Sequence, residues 1–164
     1  MLDTNLTMLE IYGIAIKSEI DAAQAYQQMS ARVKNQDLKK KLLFLKSEEV
    51  KHRRLLTTQY RTQFPKIKLI LPKQGLAPKL STALAKNTTI EKLFELALDA
   101  EYASETFYAE AANRAQDQTG KNLLRYLSGM ERGHYYTLKA EYDLMQQSTK
   151  FESYKKFSQE HLGP

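Results

Sequence analysis

Cysteine is absent from the 164 residues of the sequence. Disulfides, thiolate zinc sites and iron–sulfur clusters held by the chain's own residues are therefore excluded. The lack of cysteine is typical of a reducing compartment, and the N-terminal stretch has neither the basic nor the long apolar segment of a secretory signal. No window approaches the roughly 18 apolar residues that a membrane span needs. We therefore expect a cytoplasmic protein without a membrane partner.

Glycine and proline are also scarce, with six and four residues, and three of the prolines lie between residues 65 and 78. Long stretches are thus free to form helices. Amphipathic periodicity predicts four of them, over residues 5–33, 37–62, 90–116 and 120–147. Residues suited to helix N-caps support three of these starts, namely Asp37, Thr88 in a capping box with Glu91, and Thr119.

The net charge of +6 is the one feature that could suggest a nucleic-acid partner. The basic clusters at residues 39–41 and 51–54, however, lie inside helical periodicity, where a solvated helix face is the commoner explanation. Nucleic acid is therefore not expected as a partner.

An internal repeat relates the two halves of the chain. Residues 10–56 align with residues 92–138 at an offset of 82 without a gap, and each half has the pattern of a helical hairpin. Residues 63–89 connect the halves and are far longer than a short loop between neighbouring helices. A single long crossover is typical of ferritin-like bundles. The sequence thus predicts an all-α, ferritin-like four-helix bundle over residues 1–147, with residues 148–164 forming a tail or a short fifth helix.

Two polar pairs interrupt the buried stripes of the second and fourth helices. Glu49 and His52 fall between leucines spaced three and four residues apart, and Glu131 with His134 repeats this pattern. Each pair therefore faces the core rather than solvent.

The first and third helices each add a glutamate to the same level of the bundle. Glu19 lies thirty residues before Glu49, and Glu101 lies thirty before Glu131, so in antiparallel hairpins they meet at one height. Four buried carboxylates cost several kcal/mol and repel one another, and no lysine or arginine lies on the inner stripes nearby. Two divalent cations would balance them, and this set of residues is that of di-iron and di-manganese bundles. The expected metal ligands are Glu19, Glu49, His52, Glu101, Glu131 and His134, and carboxylate with imidazole suits iron or manganese.

Further residues near these stripes have more than one interpretation. Tyr26 and Tyr108 are either plain core residues or hydrogen-bond donors behind the ligands. Glu105 is either peripheral or a residue that touches the site, Glu48 is expected to be exposed or peripheral, and His161 is expected at the surface.

The segments AIKSEIDAAQAY, SEEVKH, LALDAEYASETFY and GMERGH resemble the rubrerythrin-like branch of the ferritin-like di-iron proteins, and the resemblance extends over about residues 5–147. It implies that the six ligands hold two iron ions, with Glu49 and Glu131 bridging them. It also implies reduction of hydrogen peroxide or reaction with dioxygen, and relatives oxidise ferrous iron for storage.

The sequence departs from rubrerythrin in two respects. Rubrerythrin carries a C-terminal rubredoxin domain whose four cysteines deliver electrons, so this chain would need a separate electron-donor protein. Rubrerythrin also has a glutamate three residues after its helix-3 ligand, where this chain has Ser104. That glutamate takes part in the movement of one iron.

The resulting expectation is a di-iron oxidoreductase acting on hydrogen peroxide or dioxygen in oxidative stress, as a homo-oligomer with a dimer the expected state. A ferroxidase or iron-handling protein and a non-catalytic metal-binding helical module are the alternatives.

Overall fold

Five helices make up the described part of the chain, and four of them form a bundle. The computed structural model describes Asp3, residues 5–84, Lys86 and residues 88–161, with the backbone alone for residues 150–161. The helices are α1 (Met8–Arg32), α2 (Gln36–Gln63), α3 (Pro78–Leu84), α4 (Ile90–Arg114) and α5 (Gln118–His161). α1 forms a hairpin with α2 and α4 one with α5, while α1 also packs on α4 and α2 on α5. The predicted all-α bundle of two hairpins is confirmed.

The predicted caps of the second and third bundle helices are wrong by one or two residues. Asn35, not Asp37, caps α2, because its side-chain oxygen accepts from the backbone N–H groups of Asp37 at 2.9 Å and Leu38 at 3.0 Å. Thr89, not Thr88, caps α4 and accepts from the N–H of Lys92 at 3.3 Å. In both places, nearby residues have similar capping ability, so the residue type alone does not identify the N-cap, and the backbone geometry determines it.

The predicted cap of the last bundle helix is also wrong. Asp117, not Thr119, lies at the start of α5, where its carboxylate accepts from the N–H of Gly120 at 2.6 Å. Thr7 caps α1 in a capping box with Glu10. The caps Thr7, Asn35, Thr89 and Asp117 therefore obey the repeat as well, since 82 residues separate the members of each pair.

Two arginines at equivalent positions tie the hairpins together. The guanidinium of Arg32, at the end of α1, donates to the carbonyl oxygens of Leu84 at 3.0 Å and Thr88 at 3.3 Å, just before α4. Arg114, at the end of α4, donates to the carbonyls of Asp3 at 2.8 Å and Leu6, just before α1. The end of each of these two helices is thus hydrogen-bonded to the segment that precedes the other.

The crossover, described over residues 64–84, 86, 88 and 89, lies against α1 and includes α3, a helix that the sequence analysis did not predict. The N–H of Gly75 donates to the Asp21 carboxylate at 3.2 Å, and the N–H of Leu76 donates to the Ser18 hydroxyl at 2.9 Å. A Cβ on Gly75 would lie 2.8 Å from the Cα of Ser18. Glycine at this position is therefore what allows the crossover to touch the helix.

α5 runs without interruption to His161. Residues 148–161 therefore continue the fourth bundle helix and are not a separate fifth helix, while residues 162–164 and the side chain of His161 lie outside the described residues. In the described part of the chain, none of the helices combines the length and apolarity needed to cross a bilayer.

The core consists of two apolar clusters along the bundle axis. One cluster includes Tyr26, Leu42, Leu45, Phe94 and Leu138. The other includes Ile11, Tyr12, Leu56, Leu124 and Leu127. Burial of each large side chain contributes on the order of 1.5–3 kcal/mol, so these clusters carry the stability of the bundle. Between them lies a layer of charged side chains.

Candidate metal centre

The charged layer consists of the six predicted ligands, and the structure brings all of them together. Each bundle helix supplies side chains from its inward stripe, because residues three and four apart face the same side of a helix. All six are buried, with Glu49 fully inaccessible to solvent. The members are Glu19 from α1, Glu49 and His52 from α2, Glu101 from α4, and Glu131 and His134 from α5.

Two carboxylates each span both histidines. Glu49 places Oε2 3.1 Å from Nδ1 of His52 and Oε1 2.9 Å from Nδ1 of His134. Glu131 places Oε1 3.0 Å from Nδ1 of His52 and Oε2 3.7 Å from Nδ1 of His134. The two imidazole rings stack with centroids 5.3 Å apart. Glu49 and Glu131 are therefore the groups that two adjacent ions could share.

The remaining glutamates each belong to one end of the cluster. Oε2 of Glu19 lies 3.5 Å from Nδ1 of His52, and Oε2 of Glu101 lies 3.6 Å from Nδ1 of His134. The cluster thus divides into a Glu19–His52 end and a Glu101–His134 end. Among the described residues, the two imidazoles are the only cationic or potentially cationic groups within 4.0 Å of these carboxylates.

The two tyrosines considered in the sequence donate hydrogen bonds across the bundle. The hydroxyl of Tyr26, on α1, donates to Oε1 of Glu101, on α4. The hydroxyl of Tyr108, on α4, donates to Oε1 of Glu19, on α1. Burial raises the pKa of both tyrosines well above the ordinary value, so they are neutral donors. Each tyrosine therefore orients the terminal carboxylate of the opposite hairpin.

Burial and crowding shift the protonation of the cluster. Burial, followed by the nearby Glu49 carboxylate, raises the pKa of Glu19 to about 8. Burial and Glu131 raise the pKa of Glu101 to about 8 in the same way. For His52, burial alone lowers the pKa, but the surrounding carboxylates outweigh it and raise the pKa to about 12. Without metal, the cluster therefore retains protons that a bound cation would have to displace.

Several buried polar atoms of the cluster lack a hydrogen-bond partner, which is the strongest structural indication that a cation fits the cluster. They are Oε1 of Glu49, Oε2 of Glu101, Oε1 of Glu131, Nε2 of both histidines and Nδ1 of His134. Potential ligand atoms of Glu49, His52, Glu131 and His134 lie within 4.8 Å of one another. Carboxylate oxygen with imidazole nitrogen is a donor set for iron or manganese. The residues present therefore fit a di-metal centre.

Two nearby glutamates form ion pairs outside the cluster. The Glu105 carboxylate lies 2.7 Å from Nε and 2.6 Å from Nη2 of Arg132. The Glu48 carboxylate lies 2.5 Å from Nζ of Lys51. Both glutamates are thus placed at the periphery of the centre.

Ser104 faces a small cavity beside the cluster that the sequence analysis did not anticipate. The cavity has a volume of about 20 Å³, lies between α1 and α4, and is walled by Ser18, Ser104 and the carboxylate-bearing residues Glu19, Glu101 and Glu131. A volume of this size holds about one water molecule. The crossover forms its roof, a contact between distant segments that no local pattern in the sequence indicates.

Comparison with known proteins agrees with this geometry. The family model for rubrerythrin matches residues 10–142. A hypothetical protein from Pyrococcus furiosus is similar in structure, with a TM-score of 0.78 and 34% sequence identity over 88% of this chain and 94% of that one. Comparison with curated proteins gives no significant match. Sequence, fold and buried cluster together establish that the chain belongs to the rubrerythrin family.

Proposed function

We propose that this protein is a di-metal oxidoreductase that reduces hydrogen peroxide or dioxygen with electrons from a separate donor protein. One observation carries the proposal: Glu49 and Glu131 each direct one carboxylate oxygen toward His52 and the other toward His134. A metal pair held by these residues would supply two electrons, and reduction of one peroxide to two water molecules consumes two electrons and two protons. Iron is the metal that we favour, with manganese as the alternative.

The side chains of the protein would hold and insulate such a pair. Glu19 with His52 and Glu101 with His134 would hold one ion each, and the metals would supply the redox equivalents. The two apolar clusters on either side exclude bulk water from the layer, which strengthens every electrostatic interaction within it.

The tyrosines and terminal carboxylates would handle orientation and protons. Tyr26 and Tyr108 fix one oxygen of Glu101 and Glu19 respectively, leaving the other oxygen for a cation. The raised pKa of Glu19 and Glu101 means that Oε2 of each can carry a proton near neutral pH when no cation is bound. Protons released on metal loading would leave from these atoms and from the His52 imidazole, whose pKa is also raised.

The composition of the chain supports electron delivery by a separate protein. The sequence contains no cysteine, so it cannot itself hold a rubredoxin-type iron site or an iron–sulfur cluster. A small redox protein docking at the surface is the class of partner that we expect, and a homo-oligomer remains a prediction for sizing experiments.

Anaerobic single-turnover chemistry tests the proposal. Iron-loaded, fully reduced protein should consume about one hydrogen peroxide for every two irons oxidised, and Glu49→Gln should abolish the reaction. Iron-loaded protein whose iron is oxidised by neither peroxide nor dioxygen would refute the proposal. Uptake of many irons per chain into a large particle would instead indicate an iron-handling role.

A further inference from the structure

A groove on the outer side of the α1–α2 hairpin reaches the candidate metal centre. It has a volume of about 520 Å³, and Glu19 forms part of its wall. Ala23 and Val50 line its inner part, while Lys46 and Arg53 supply two positive charges. Small side chains thus leave open the space above a carboxylate of the cluster.

The corresponding place on the α4–α5 hairpin is filled. Positions 23 and 50 correspond, at the offset of 82, to Glu105 and Arg132. Nε and Nη2 of Arg132 both contact Oε1 of Glu105, at 2.7 and 2.6 Å, and the hydroxyl of Ser128 donates to the backbone carbonyl of Glu105 at 3.0 Å. The Glu105 side chain is 17% exposed and the Arg132 side chain is 63% exposed, so the carboxylate fills the inner part of this place and the guanidinium lies at the surface. We call this Glu105–Arg132 ion pair the plug. It lies on the α4–α5 hairpin at the place where the α1–α2 hairpin has the groove.

The second approach to the cluster is closed by the crossover. The cavity of about 20 Å³ beside Ser104 is roofed by Leu76, Ala77 and Leu80. Two backbone hydrogen bonds to Ser18 and Asp21 hold the roof on α1. This cavity has room for about one water molecule and is far smaller than the groove.

We propose that the α1–α2 groove is the route by which small molecules reach the metal pair, and that they arrive at the Glu19–His52 end. This inference rests on the proposed function, because it names the path of the same oxidant. Lys46 and Arg53 make the groove attractive to small polar molecules and anions and unattractive to free cations. The ligands that fit are hydrogen peroxide and small inorganic anions.

Azide is a suitable probe, because its binding to the oxidised, iron-loaded protein is seen by absorption and needs no turnover. The double variant Ala23→Glu, Val50→Arg copies the plug into the groove and should slow azide binding at least about tenfold. The reciprocal variant Glu105→Ala, Arg132→Val should open a second route and accelerate binding. Ala31→Glu, Phe44→Arg adds the same charges at exposed positions outside the groove and should leave the rate unchanged.

A milder pair of variants covers the case in which the plug variant fails to fold. Lys46→Gln and Arg53→Gln change groove residues without adding bulk. Each should lower the azide association rate severalfold at low salt, with the difference disappearing at high salt. Equal rates for wild type and both variants at low salt would count against the groove.

The outcomes separate the route from the function. If the plug variant slows azide binding but the wild-type protein does not reduce peroxide, the route is supported and the proposed function is refuted. Wild-type protein that binds no azide, or a folded, metal-loaded plug variant that binds it at the wild-type rate, would overturn the route. If the plug does not change the azide rate, faster azide binding in Gly75→Ala would indicate entry through the crossover roof. Gly129→Ala is the control, because the added methyl meets no atom within 4 Å outside its own helix backbone, and it should not change the rate.

Discussion

The two helical hairpins are alike inside and different outside. Inside, the glutamates, histidines and tyrosines of the charged layer recur at an offset of 82, as do the helix caps and the arginines at the ends of α1 and α4. Outside, Ala23 and Val50 leave a groove where Glu105 and Arg132 form an ion pair. The first hairpin is also covered by the crossover, whose Gly75 and Leu76 donate backbone hydrogen bonds to side chains of α1.

The difference shows which positions the chemistry restricts. A buried carboxylate without a partner is costly, so the loss of any one charged group unbalances the whole layer. Positions on the outer surface carry no such penalty, and substitutions there change access without changing the core. A symmetric centre can thus have one open end.

The largest expected effect distinguishes the shared carboxylates from the terminal ones. Glu49→Gln removes a charge that faces both histidines, so metal content should fall from about two ions per chain to nearly none. Glu19→Gln removes a charge at one end only and should leave about one ion bound. Elemental analysis after gel filtration measures both, and equal losses in the two variants would break the distinction between shared and terminal groups.

The next effect is the pH dependence of the metal-free protein. Folding raises the pKa of Glu19 and Glu101 from 4.5 to about 8, so the native state holds more protons than the unfolded state between these values. The contribution of these two groups to stability is therefore greatest in acid and should fall as pH rises from about 4.5 to 8, by up to about 2–3 kcal/mol per pH unit. The raised pKa of His52 acts in the same direction above its ordinary 6.5.

Urea unfolding of the metal-free protein at a series of pH values measures this slope. Metal-loaded protein should show the opposite trend, since protons compete with the cation. A metal-free protein that is stabilised by raising the pH from 5 to 8 would contradict the assigned protonation of the cluster.

The crossed tyrosines give a smaller effect with a symmetric signature. Tyr26→Phe leaves one buried oxygen of Glu101 without a donor, and Tyr108→Phe does the same to Glu19. Each should cost about 1–3 kcal/mol of stability without metal and about 10–100-fold in metal affinity. Because each tyrosine serves the opposite hairpin, the weakened ion should be at the His134 end in Tyr26→Phe and at the His52 end in Tyr108→Phe, which NMR of the imidazoles can resolve.

The smallest effect compares the two threonine caps. Thr7 makes a capping box with Glu10, whereas Thr89 has Lys92 at the equivalent position and accepts a single bond. Thr7→Ala and Thr89→Ala should each destabilise the protein by about 1 kcal/mol, with Thr7→Ala the larger. Thermal unfolding of both variants checks the order, and a larger loss at Thr89 would show that the box adds nothing.

The bundle and the composition of its charged layer could be predicted because both follow from local spacing. Glu49 and His52 stand at the inward positions of a leucine stripe, so helical periodicity alone places them in the core. The offset of 82 then placed Glu131 and His134 likewise. Iron as the metal and peroxide or dioxygen as the substrate stay predictions.

The features that could not be predicted depend on contacts between distant segments. Tyr26 and Tyr108 lie on the same helices as Glu19 and Glu101, yet each bonds to the glutamate of the other hairpin, a choice set by how α1 packs on α4. The N-caps of α2, α4 and α5 were predicted wrongly from the local sequence. The repeat could have identified them, because Thr7 and Asn35 each have a residue suited to capping 82 positions later.

Anaerobic titration of the metal-free protein with ferrous iron, followed by anomalous diffraction from the loaded crystals, tests the central claim most directly. The account predicts saturation at about two ions per chain, with one anomalous peak beside His52 and one beside His134, both within reach of Glu49 and Glu131. Saturation with no peak in this layer, or a protein that folds fully in chelator and binds no iron, would contradict it.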